Sequence, residues 1–163
     1  EDLPVYAFQC GLAHLGGGEL GIDIHPIHQL HLSSAFSCVY ARAKGGDYLP
    51  LIPAPRLYSE VKWEITHDGH LFNNAFVSLN LDWNMAQNHF YTAGGTETAT
   101  PSYLLLGASA GTDLVIKGKR RLSLYIIASN LTDQAYMPHL SRLKYIGVYN
   151  MGRNVSFNLE IPF

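Results

Sequence analysis

The chain has 163 residues, enough for one domain with a core of its own but too few for a wide barrel closed by many strands. Its 11 Lys+Arg against 13 Asp+Glu leave a formal charge of -2, so no basic excess draws it to nucleic acid or to an anionic surface. Charged residues make up 15% and aromatics 12%, with ten Tyr, against roughly a quarter charged in ordinary soluble domains; the balance suits contact with lipid.

No apolar run approaches the roughly 18 residues that a spanning helix needs. A membrane crossing would therefore use strands, the other element that satisfies every backbone group away from water. The residues after Glu1 lack the basic and apolar regions of a secretory leader, so no signal peptide is expected within 1–163.

In chain order, weak period-two alternation runs from Tyr6 to Leu15 and from Glu19 to His25, with Gly16-Gly17-Gly18 read as a tight hairpin between them. A short turn at His25 to His28 leads to a third strand, Gln29 to Arg42, and then a long connection from Ala43 to Ala54. Leu57, Val61, Trp63 and Ile65 alternate with Arg56, Glu60, Lys62 and Glu64, and after a short link at His67 to Leu71 the same pattern returns. There Val77, Leu79, Leu81, Trp83 and Met85 alternate with Ser78, Asn80, Asp82 and Asn84. A long connection, Asn88 to Pro101, precedes strands from Tyr103 to Ile116 and from Arg121 to Asn130, separated by Lys117 to Arg120. After a last long loop, Leu131 to Met151, apolar Val155, Phe157, Leu159, Ile161 and Phe163 alternate with polar residues. The expectation is an all-β chain of about eight antiparallel strands in up-and-down order. Several runs exceed the five or six residues usual in globular sheets and match the roughly 9 to 11 of a tilted membrane strand. Short and long connections alternate, as in outer-membrane barrels. The Gly16 to Gly18 link breaks that alternation.

Chemical motifs have plainer readings. His25, His28 and His31 are spaced by three along strand-like sequence, which places His28 on the opposite face from the other two, so no converging metal site is expected. His67-Asp68-Gly69-His70 carries the Asp-Gly signal of a hairpin. Gly16-Gly17-Gly18 lacks the helix and Lys-Ser/Thr pair of a phosphate loop. Glu60, Glu64 and Asp82 share an inward face with Lys62 and can pair there, and no nucleophile stands beside a base, so neither catalysis nor a cofactor is expected. Trp63, Trp83, Tyr6, Tyr40 and Phe163 fit an interfacial aromatic girdle. Cys10 and Cys38 fall on the first and third expected strands, about two spacings apart, which is too far for a disulfide.

Several segments together resemble TonB-dependent outer-membrane receptors. Met151-Gly152-Arg153-Asn154 followed by alternation to Phe163 looks like that family's last strand, whose terminal aromatic is its assembly signal, here with Ile161, Leu159 and Phe157. Asn130-Leu131-Thr132-Asp133 with Tyr136 is similar to its Asn-Leu-Phe-Asp segment, with Thr132 at the usual aromatic position. Leu49 to Arg56 resembles its proline-rich external loop, and Gly18-Glu19 its Gly-x-Glu strand opening.

The resemblance implies that residues 1–163 are the carboxy-terminal segment of a receptor barrel in the outer membrane of a Gram-negative bacterium, without the plug. The whole receptor would import a scarce nutrient, such as an iron-siderophore, cobalamin or a glycan, working with outer-membrane lipid, a plug domain and TonB. Tyr91, His89, Tyr136, His139, Arg142, Lys144 and Tyr145, on the long loops, are then the candidates for contact with that ligand. The sequence leaves two alternatives, a complete eight-stranded outer-membrane barrel and a soluble lipocalin-like barrel. An isolated segment is expected to associate through open edge strands.

Overall fold

The computed structural model describes residues 11–68, 71–93, 95, 97–116 and 120–161. Seven strands form one antiparallel sheet in sequence order: β1 (Ala13–Ile27), β2 (Leu30–Ala43), β3 (Arg56–Asp68), β4 (Phe72–Asn84), β5 (Tyr103–Ile116), β6 (Arg120–Ser129) and β7 (Asn154–Glu160). The sheet is open, with β1 and β7 at its edges. Connections alternate without exception: two residues after β1, long after β2, short after β3, long after β4, short after β5 and long after β6. Phe163 and Cys10 lie outside the described residues, as do Tyr6 and Gly69-His70.

The glycine triplet is not a hairpin. β1 runs straight through it, with Gly16, Gly17 and Gly18 opposite Tyr40, Val39 and Cys38 of β2. A β-carbon on Gly17 would lie 2.6 Å from the Cys38 carbonyl oxygen, so glycine permits a close strand approach here rather than a reversal. Two expected strands thus merge into one of 15 residues, the described residues hold seven strands rather than eight, and the break in loop alternation disappears. The strand thought to separate the two cysteines disappears with it, and Cys38 lies on β2, the second strand.

Side chains sort by parity onto two faces. One row on the apolar face, Ile24, Leu32, Val61, Leu79, Ala108, Ala128 and Val155, crosses all seven strands in register. Its neighbours include Trp63, Trp83 and Phe157, each more than two-fifths exposed because no second layer covers them. Ile161 and Leu159 of the expected assembly signal are exposed on the same side. Ser34 and Ser59, the polar pair on this face, satisfy one another at 2.9 Å. On the opposite face Arg56 grips Asp82 with two bonds of 2.7 and 2.8 Å, Tyr58 donates to Glu60 at 2.9 Å and Lys62 donates to Glu64 at 2.9 Å. The inward charges pair along one face as the alternation requires.

One strand pair is clearly offset. β2 continues to Ala43 although its last pair with β3 is Ser37 with Arg56, and β3 runs on past Trp63, the partner of Leu30, to Asp68. Displacement of one strand along its neighbour is the shear that tilts the strands of a barrel wall. Irregular register clusters at the other end of the sheet, at Ile24/Ile27, Glu64/Thr66 and Asn73/Phe76. Just before the first of these, the regular pairing of Ile24 with Leu32 places His25 opposite His31, ring centroids 4.7 Å apart and perpendicular, on the one face that their spacing gives them. No group of three His, Cys, Asp or Glu among the described residues is arranged to hold a metal ion.

Candidate functional site

The long loops gather at one end of the sheet, and side chains hold them there. Gln87, Thr100 and Asn130 are 3, 2 and 5% exposed, so their amides and hydroxyl must find partners inside the protein. Gln87 Nε2 donates to the carbonyls of Ile52 at 3.2 Å and Pro53 at 2.9 Å, and Gln87 Oε1 accepts from the His89 N–H at 3.0 Å. Glu97 accepts from the N–H of Leu51 at 2.5 Å and from that of Tyr91 at 3.1 Å. These bonds join the loop after β2 to the loop after β4.

The second junction centres on Thr100, which pairs by backbone with Gln87. The Lys144 ammonium donates to the carbonyls of Thr98 at 2.6 Å and Ala99 at 3.0 Å and to Thr100 Oγ1 at 2.6 Å. An ammonium can only donate, so Thr100 accepts from Lys144 and gives its own proton to His139 Nδ1, 2.7 Å away. That assigns the neutral imidazole its Nε2–H tautomer, and Nε2 is buried with no hydrogen-bond partner among the described residues. Burial lowers the His139 pKa, and the nearby Lys144 charge lowers it further against a smaller opposing effect of Glu97. Burial likewise lowers that of Lys144.

The loop after β6 begins with Asn130 in a left-handed conformation, φ 50°. Its side chain bonds both the carbonyl and the N–H of Gln134, each at 2.9 Å, which closes a turn. Asp133 Oδ1 then accepts from the Arg153 N–H at 2.8 Å, and a β-carbon on Gly152 would meet that oxygen at 2.7 Å. The Asn-Leu-Thr-Asp and Met-Gly-Arg-Asn segments, twenty residues apart, are therefore one clamp that seats the start of β7. Further along, a short 3-10 turn at Arg142–Ile146 is capped by Ser141 and by Gly147 at φ 73°.

The loop candidates divide among distinct places. His139 and Lys144 meet at Thr100. Tyr136 stacks on Tyr103 with centroids 4.7 Å apart, and its hydroxyl accepts from Asn150 at 3.1 Å, beside a cavity of about 340 Å³ that Tyr58, Asn80 and Asp82 also line. His89 lies against Tyr48, 4.8 Å between centroids, and Tyr40 meets both edge-on. Tyr91 is tied by its N–H to Glu97, whereas Arg142 and Tyr145 are exposed, Tyr145 by 79%. Tyr40, expected in the girdle, is exposed near the loop end of β2 and also joins this aromatic cluster. Sequence reasoning passed over Gln87, Thr100 and Glu97, since a lone amide, hydroxyl or carboxylate in a polar loop carries no signal of burial.

A single antiparallel sheet with one apolar face, one polar face and alternating loops is the architecture of a transmembrane β-barrel wall. Among solved structures the chain is similar in fold to one described as "Copper transporter OprC", with a TM-score of 0.74 and 15% identity over 93% of this chain. The match spans 24% of that structure's length. No family model matches the chain, and no curated protein matches it.

Proposed function

We propose that the chain forms part of the wall of an outer-membrane, TonB-dependent receptor that takes up a scarce nutrient: an iron-siderophore, cobalamin or a glycan. The observation that carries this reading is the apolar row crossing seven strands, most of them 13 to 15 residues long. Such a face, left uncovered in water, would expose far more contiguous apolar surface than soluble monomers tolerate. The polar face, with its Arg56–Asp82 and Lys62–Glu64 pairs, is suited to a water-filled or plugged lumen. The clamp between Asp133 and Arg153 joins two of the segments that resemble this receptor family. In this reading the linked loops present the ligand-contacting surface, and the protein performs no catalysis.

The two tryptophans test the reading directly, since both lie on the apolar face. The chain is refolded into vesicles containing brominated phosphatidylcholine, and tryptophan emission is recorded. Strong quenching of Trp63 and Trp83, separated by Phe substitution of each in turn, is the expected result. Unquenched emission, or a folded monomer in detergent-free buffer, overturns the membrane reading.

A further inference from the structure

Where β2 outruns β3, a cavity of about 440 Å³ opens between the free edge of β2 and the loops after β2 and β4. Backbone direction along β2 can be read from its far end. The Lys44 N–H bonds Leu12 on the β1 side, whereas Ala43 bonds Asp47 and Ala41 bonds Leu49 on the other. Backbone groups alternate sides along a strand, so those of Val39, like those of Ala41 and Ala43, point away from β1. The last β2–β3 pair is Ser37 with Arg56, so no strand lies opposite Val39. Pro55, the next residue beyond Arg56, has no N–H, and its carbonyl accepts from Met85 at 2.9 Å. Among the described residues the N–H and C=O of Val39 thus face the cavity as an unused donor and acceptor side by side.

The walls suit a flat ring. Tyr48 and His89 are tilted 31° to one another at 4.8 Å, Tyr40 stands edge-on to both, and the Arg42 guanidinium lies 4.8 Å from the Tyr48 centroid. Gly17 brings bare backbone against β2, and a β-carbon on Gly16 would have no heavy atom within 4 Å. Ile52 and Pro55 add apolar surface. No carboxylate lines the cavity, and the Gln87 amide is committed on both its nitrogen and its oxygen. A sugar would find little to hold its hydroxyls, and a cation nothing to neutralise it.

We propose that this cavity binds an uncharged planar heteroaromatic molecule whose adjacent ring N–H and C=O pair with the free edge of Val39 while its ring packs against the aromatic cluster of Tyr40, Tyr48 and His89. The volume falls in the range of small-molecule sites, roughly 300 to 1,000 Å³. The proposal goes beyond the nutrients of the receptor reading to a further ligand class, and rests on that reading only for the route by which the ligand arrives.

The test uses 2-quinolinone, a fluorescent planar lactam, titrated against the whole chain in detergent micelles. Saturable binding is expected, with 1-methyl-2-quinolinone, its donor blocked, at least about tenfold weaker. Gly16→Val, which fills the open space in a residue type that strands favour, should also weaken binding by about tenfold without changing the circular dichroism. Tyr48→Ala should do the same through lost packing, and methyl glucoside should not compete. Equal affinity for the methylated compound, unchanged binding by both variants, displacement by methyl glucoside, or no saturation up to about 1 mM each overturns the proposal. Quenching by brominated lipid is independent of every one of these outcomes, so a failed ligand class and a failed membrane reading cannot be confused.

Discussion

The sheet and its loop end are held together by different means. Across the strands, backbone ladders carry the structure and side chains only decide which face meets which surroundings: Val61 and Leu79 on one side, Arg56 with Asp82 on the other. At the loop end, three buried polar side chains, Gln87, Thr100 and Asn130, do the joining: Gln87 reaches Pro53, Thr100 reaches Lys144 and His139, and Asn130 closes on Gln134. Ladders repeat, so one altered residue disturbs a neighbourhood. Each loop junction depends on one to three side chains, so the loss of one should loosen a whole segment while leaving the sheet intact.

The largest effect should come from charge on the apolar face. Leu79→Arg places a cation near the middle of β4 on that face, and unfolding by urea in lipid should show a loss of about 3 kcal/mol, whereas Asn80→Arg, one position along on the polar face, should cost under about 1 kcal/mol. Equal losses would mean that the two faces share one environment.

A smaller and local effect is expected at the last loop. Asn130→Ala removes both bonds to Gln134 and puts Ala at a left-handed φ, for about 2 kcal/mol. Hydrogen exchange should rise in residues 130–153 and β7 and stay unchanged in β2 to β4; a uniform rise would remove the distinction between sheet and loops.

The mildest perturbation is acid. The His139 pKa is lowered in the folded protein, so protonation favours conformations in which the ring is released. Above the ordinary histidine value, about 6.5, both states are neutral and the junction is at full strength; as pH falls below it, the released form gains protons first and stability is lost until the folded pKa is passed. Amide exchange around Thr100 and Lys144, corrected for intrinsic rates, should therefore increase between about pH 7.5 and 5.5, and Thr100→Val should abolish most of that difference.

Periodicity made the strands legible because a period of two has one structural meaning: Val77, Leu79, Leu81 and Trp83 cannot share a face in any helix. The paired inward charges followed from the same parity. Where the sequence misled, a local cue had two meanings. Glycine serves reversal and close approach alike, and only the partner strand, with the Cys38 carbonyl against Gly17, shows which applies. His25 and His31 share a face by parity, and only the pairing of β1 with β2 sets their rings against one another.

By itself, then, the sequence determined the all-β class, the order of the later strands, the alternation of short and long connections and the split between an apolar and a polar face. Those properties depend on neighbours a few residues apart, which the chain brings together wherever it folds. The tertiary structure alone decided that β1 is a single strand and that Lys144, Thr100 and His139 form one junction. It alone left Val39 facing a cavity with its backbone unpaired. Each of these depends on which distant segment ends up opposite, and register and stagger between strands settle that only when the whole sheet has formed.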